Sequence, residues 1–384
     1  MSKIFIDATH FALAGQLCEI ISSRKLAVGV YQGITGNAMG ATLIFSAAQE
    51  KAMGGEQAIV AFARSLKPKM VVVIDTAANS FAVEPSLSGK VIHIALPSDD
   101  YFALTIAADI ICADLSKMIA ADPATSNLLM LANRVSKSDV TVFINGPTGT
   151  GKEVLARFIH DKSDRHAAPF VAINCAAIPE NMLEAVLFGH EKGAFTGASV
   201  ANKGIFRAAD QGTLLLDEIS EMPIGLQSKI LRVLQERKVT PLGAQTEIDI
   251  DVRVLATTNR DMRLEVQKNN FREDLFYRLN VFPVATQALC DRPLDILPIA
   301  AALLRKHAQS LDMIPWLSKP ARTALLDHSW PGNVRELENV MQRALVLQSG
   351  GTIEAYDIII DVAPIKQVMP NPSAQHAALS RLGS

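Results

Sequence analysis

Two successive α/β units followed by a helical region are the fold class this sequence predicts, and three observations predict it. Short apolar runs alternate with helical stretches over roughly the first 118 residues, a pattern that builds a small domain on a largely parallel sheet. A further apolar strand, Val140 to Ile144, runs straight into the glycine-rich stretch Gly146-Pro147-Thr148-Gly149-Thr150-Gly151-Lys152-Glu153. Beyond Asp291 the apolar spacing turns helical.

In chain order, the first strands are Lys3 to Ile6, Leu26 to Val30, Met70 to Ile74 and Val91 to Ala95, with a helix over Gln49 to Ala63 and a flexible turn over Gly33 to Gly40. Asp75 ends its strand where a response-regulator receiver carries its phosphoacceptor, so the unit resembles a receiver. Asp7-Ala8-Thr9 lacks the paired acids that hold magnesium there, and no Lys-Pro follows a fifth strand. The expectation is a degenerate, non-phosphorylated regulatory fold. Asp122-Pro123 reads as an N-cap followed by proline at the first helical position, opening a helix through Arg134 that leads into the second unit. Ile296 to Ser310, Lys319 to Asp327 and Val334 to Gln348 read as a lid-like bundle, and Pro364, Pro370 and Pro372 mark a loose tail. The expected boundaries are 1–118, 119–290, 291–362 and 363–384.

Lys plus Arg total 37 against 39 Asp plus Glu, so a net charge of -2 gives no global attraction to nucleic acid or anionic membrane. Cys18, Cys112, Cys175 and Cys290 show no disulfide or zinc spacing, which favours reduced thiols. No signal-like h-region or apolar run of about 18 residues is present, and a cytoplasmic protein is expected.

A strand, a glycine-rich loop and a helix let backbone N–H groups and the helix N-terminus cradle phosphate, with Lys152 supplying a point charge. About 65 residues on, Thr213-Leu214-Leu215-Leu216 ends in Asp217-Glu218. Asp217 at a buried strand end is placed to hold magnesium through water, and Glu218 to polarise an attacking water. Between the two strings lies Gly193-Ala194-Phe195-Thr196-Gly197-Ala198, which puts an aromatic ring and a hydroxyl between glycines.

These three strings together resemble the AAA+ domain of bacterial enhancer-binding proteins, the ATPases that activate sigma-54 RNA polymerase, over roughly residues 120 to 362. The resemblance implies an AAA+ P-loop core with a helical lid, ATP and Mg2+ as cofactors, and self-assembly into a ring, expected to be a hexamer. Glu153, standing where other P-loops carry Ser or Thr, is a departure that family shares. The same resemblance assigns Asn174 to the switch restraining the catalytic glutamate, Asn259 to sensing the γ-phosphate, and Arg335 to reaching the nucleotide from the lid, with Asn333 as a cap. Arg272 and Arg278, within Phe271 to Asn280, would face a neighbour's nucleotide, and Phe195 and Thr196 would engage sigma-54. Glu184 stands alone where the family usually carries a second acid before the loop, which weakens the expected relay.

After Gly351 no helix-turn-helix pattern is seen, so DNA contact is not evident; a trimmed chain and a protein working from solution or through a DNA-binding paralogue are both open. Two functions follow: an ATP-hydrolysing activator that remodels the closed promoter complex, or a non-DNA-binding partner that co-assembles with another activator, with flagellar genes as a candidate regulon.

Overall fold

A computed structural model of the chain describes residues 3–34, 38–97, 100–113 and 118–360. The first unit contains β1 (Lys3–Asp7), α1 (Ala14–Ser23), β2 (Ala27–Tyr31), β3 (Thr42–Ser46), α2 (Ala47–Met53), α3 (Glu56–Leu66), β4 (Met70–Asp75), β5 (Ala82–Ser86), β6 (Val91–Ala95) and α4 (Tyr101–Cys112). Its sheet runs β2-β1-β3-β4-β6-β5, parallel except for β5 on the edge. The parallel strands follow the doubly wound 2-1-3-4-5 order. Ile44, Val72 and Ile74 point toward α1 and α4, whereas Leu43, Phe45, Val71 and Val73 point toward α3. β3 was not anticipated: like β4 it is buried on both faces and carries no polar alternation, but Thr42-Leu43-Ile44-Phe45-Ser46 lacks the unbroken β-branched run Val71-Val72-Val73-Ile74 that marks β4. The helix expected over Gln49 to Ala63 is two helices: Gly54 and Gly55, at φ of 107° and 94°, end α2 before α3 begins. Part of the Gly33 to Gly40 turn and the whole 363–384 tail lie outside the described residues.

The second unit follows α5 (Pro123–Val135), whose Asp122 carboxylate accepts the Ala124 N–H at 3.0 Å with proline at the first position, as the sequence implied. It then runs through β7 (Val142–Asn145), α6 (Lys152–Asp161), β8 (Phe170–Asn174), α7 (Glu180–Phe188), α8 (Gly204–Ala208), β9 (Thr213–Asp217), α9 (Ile224–Glu236), the short pair β10 (Lys238–Val239) and β11 (Ile248–Asp249), β12 (Arg253–Thr258), α10 (Met262–Gln267), α11 (Glu273–Leu279) and β13 (Phe282–Ala285). The five-stranded sheet, β13-β7-β12-β9-β8, is parallel throughout. Register places Thr258 beside Asn145 and Asn174 beside Asp217, so the strand ends share one edge. That carboxyl edge is where parallel α/β sheets bind ligands.

The last region holds α12 (Ile296–His307), β14 (Trp316–Leu317), α13 (Lys319–Asp327), α14 (Asn333–Leu347) and β15 (Thr352–Ile353). Its buried side chains do not form a separate core. Ile296, Ala300, Leu304 and Met341 belong to the same buried cluster as Ile4, Leu17 and the residues of α4.

Candidate active site

The strand β7, second in the sheet beside the central β12, delivers its chain into the 146–151 loop, and α6 starts immediately after it. Two of the loop glycines are required by close approach. A Cβ on Gly146 would lie 2.0 Å from Thr286 Oγ1, and one on Gly149, which sits at φ +78°, would lie 2.5 Å from Gly332 O. The buried Thr150 hydroxyl ties the loop to Pro147 O and, at 2.8 Å, to Thr286 Oγ1. Lys152 is buried, with its ammonium donating to Gly146 O at 3.0 Å and Pro147 O at 3.3 Å and lying 3.7 Å from Glu218 Oε1. Glu153 is exposed in the first turn of α6, where its charge suits the helix dipole.

Opposite the loop, Asp217 ends β9 with both carboxylate oxygens engaged. Thr257 Oγ1 donates to Oδ1 at 2.5 Å and Asn174 Nδ2 to Oδ2 at 3.0 Å. Asn174 thus contacts Asp217, and its own Oδ1 accepts the Ala176 and Ala177 N–H groups. Glu218 occupies the left-handed region at φ 51° and accepts the Asn259 N–H at Oε2, 3.2 Å away. Asn259 Nδ2 donates to Thr148 Oγ1 at 2.8 Å, closing a ring of contacts from loop to strand ends. Beside it a cavity of about 740 Å³ is lined by Asn145, Gly146, Pro147, Asn259 and Arg260. The buried Cys175, next to the two acids, has its thiol pushed up to about 12 by burial and then by their charge, so it stays protonated.

The 290s and α14 reach the same loop. Asn333 does not cap α14: Gly332 occupies that position, its N–H taken by the Glu336 carboxylate at 2.7 Å. The Asn333 side chain instead donates to Thr148 O at 2.9 Å and accepts the Leu289 N–H at 2.8 Å, while Val334 N–H donates to Gly149 O. Arg335 follows as an exposed side chain next to Gly149. Arg272 and Arg278 are also exposed, Arg272 paired with Asp274 and Arg278 donating to Leu234 O at 2.9 Å.

The 193–198 loop lies between α7 and α8. Reciprocal backbone bonds between His190 and Asn202 close its base, and Gly193 N–H donates to Ala198 O at 2.8 Å at its tip. Phe195 is 45% exposed, its ring 4.9 Å from that of His190, and Ala198 is buried. Glu184 on α7 pairs with Lys229 on α9. Thr257, Thr286 and Arg292 were not anticipated as site residues. The only sequence signal for Thr257 is its place beside Thr258 and Asn259 on an apolar strand.

Among the described residues no helix is long and apolar enough to cross a membrane. The profile of the Sigma-54 interaction domain matches residues 118–285, and that of the AAA+ ATPase lid domain matches 290–374. The response regulator protein FleR of Pseudomonas aeruginosa is 50% identical over 332 residues, 84% of this chain and 70% of that protein. The sigma54-dependent transcriptional activator SfnR of Pseudomonas putida is 44% identical over 281 residues, 73% of this chain and 75% of its own. A crystal structure of NtrX from Brucella abortus covers 99% of this chain and 91% of its own at a TM-score of 0.60 and 24% identity, a likeness of fold alone.

Proposed function

From the premise that the chain belongs to the Sigma-54 interaction domain family of AAA+ proteins, we propose that it hydrolyses ATP and uses the energy to remodel sigma-54 RNA polymerase through the 193–198 loop. The observation that carries this reading is the convergence of Lys152, Asp217, Glu218 and Asn259 on one glycine-rich loop at a carboxyl sheet edge.

In this reading the backbone N–H groups of 148–151 and the start of α6 bind the phosphates, with Lys152 moving from Gly146 O to the anion. Asp217, braced by Thr257 and Asn174, would hold Mg2+, which supplies neutralising charge along the phosphates. Glu218 orients the attacking water, and its bond from Asn259 ties that carboxylate to a side chain touching Thr148. Arg335 approaches from the helical side. Arg272 and Arg278, exposed and engaged away from the loop, support a site completed by a neighbouring copy in a ring, where a cation supplied in trans raises hydrolysis by ~10³ or more. Phe195 and Thr196, exposed at the tip with the Phe195 ring beside His190, are the surface offered to sigma-54.

Mixing experiments test the shared site. Glu218→Gln and Arg272→Ala are each expected to be inactive alone and to recover ATP turnover when combined, because mixed rings contain some sites with both groups intact. Wild-type specific activity should also rise with protein concentration. Full activity of Arg272→Ala at every concentration removes the shared site, and no ATP turnover by wild type with magnesium removes the whole reading. Thr196→Ala should retain turnover and lose sigma-54 binding.

A further inference from the structure

Helix α4 is buried on every side, Phe102 through Cys112 all lying inside, with Asp109 its single charged residue. A helix of that kind needs partners all round. On one side it lies against β-sheet side chains and α1; on the other it packs on α12, and the buried cluster continues without interruption into Leu304, Leu325 and Met341. No member of that cluster comes from the 142–285 sheet.

Polar contacts fix the geometry of this junction. Asp109 sits between two cations, Arg24 Nη1 at 3.1 Å on its own unit and Arg305 Nε at 2.6 Å on α12. At the outer end Asp100 caps α4 with one oxygen and takes Arg322 Nη1 from α13 at 2.8 Å with the other. The Arg322 guanidinium lies 4.8 Å over the Phe102 ring, and Trp316 completes the stack against Phe81 and Phe102 at 5.4 and 5.3 Å. The region that α4 grips is also the one that touches the phosphate loop, through Asn333 on Thr148 O, Val334 on Gly149 O and Arg292 on Thr150 O.

We propose that the first unit and the helical region move as one body, so that the first unit sets how readily that body lifts off the nucleotide loop and lets ADP leave. A core shared between the two leaves no slip plane, since packed interiors transmit displacement rather than absorb it. The functional consequence is that any ligand or partner engaging residues 3–112 acts on nucleotide exchange directly, without a change in the sheet that carries Asp217 or in the α6 start that carries Lys152. This rests on the nucleotide-site reading above.

The test uses the full chain with a fluorescent ADP analogue. Arg305→Glu places a carboxylate against Asp109, and Arg322→Leu removes the outer contacts without stranding a buried charge. Both residues lie away from the phosphate loop. Hydrogen exchange should rise together on α4 and α12 in each variant, and ADP release should quicken by about fivefold or more, the scale of a typical coupling between sites. Faster exchange on α4 and α12 with an unchanged release rate overturns the coupling. If α4 alone loosens while α12 stays protected, the single-body claim falls. Wild-type protein that binds no ADP analogue sinks the nucleotide-site reading itself, a result distinct from either.

Discussion

Thr257 is a fully buried side chain whose hydroxyl serves two neighbours at once, donating to Asp217 Oδ1 and accepting the Glu218 N–H at 3.2 Å. Removing it frees both acids to reorient. Thr257→Val, which keeps the shape, should lower ATP turnover about ten- to a hundredfold, the usual range for losing a group that orients a metal-binding carboxylate. Thr257→Ser should restore most of it, whereas a purely structural role would give a melting change without that rescue. His160 offers a pH test at the same scale. Its ring is buried against Phe170, with Nδ1 3.0 Å from Thr213 Oγ1, and burial depresses its pKa. The fold therefore favours the neutral ring, so the stability that His160 contributes is complete above the unfolded value near 6.5 and declines as pH falls toward the depressed folded value. In denaturant titrations His160→Gln should lose that part of the decline below about pH 6.5, and an unchanged slope would remove the assignment. The charged and glycine residues of this site were legible because their chemistry is confined to few residue types at fixed spacing. Thr257 was not, since a threonine in an apolar strand has no pattern that separates a positioning hydroxyl from a core side chain.

At the level of elements, the 193–198 loop depends on glycines that differ sharply in what surrounds them. Gly204, at φ +75°, would bring a Cβ to 2.3 Å from Gly189 N and 2.6 Å from Phe188 C, so its backbone and that of Gly189 lock the loop base. Gly193, at φ +83°, has nothing within 4 Å. Gly204→Ala combines left-handed strain with a backbone collision and should lower the melting midpoint by at least several degrees, while Gly193→Ala carries only the strain, about 1–2 kcal/mol. Scanning calorimetry of the two variants separates them, and equal shifts would mean the base is not locked. The elements themselves were unevenly legible. The three late helices and the Asp122-Pro123 start agree with the structure to within a few residues, because long periodic segments and caps are strong local signals. β3 and β5 were missed for different reasons: β3, buried on both faces like β4, lacks the β-branched run that made β4 legible, and β5 carries Pro85 on an edge where proline is tolerated.

Across the whole molecule one buried pair joins regions that the sequence separates by over 100 residues. Asp295 is fully buried and accepts the Ala121 and Asp122 N–H groups at 2.7 and 2.8 Å and the Thr125 hydroxyl, with Arg292 Nη1 3.7 Å away. Burial raises its pKa against these partners, and Arg292 in turn donates to Thr150 O at 2.8 Å on the phosphate loop. The entry to α5, the entry to α12 and the nucleotide loop thus meet at one carboxylate. No sequence pattern announces such a junction, because it is made by tertiary closure; the same holds for the packing of α4 on α12. Asp295→Ala leaves Arg292 as a buried cation without its counterion and strands two backbone donors, which should cost about 3–5 kcal/mol. Asp295→Asn keeps one acceptor for those donors and should cost clearly less. Equilibrium denaturation supplies the comparison, with ATP affinity as the second readout. If the junction positions the loop, Asp295→Asn should weaken nucleotide binding under conditions where it remains fully folded. If it only stabilises, folded Asp295→Asn should bind as tightly as wild type.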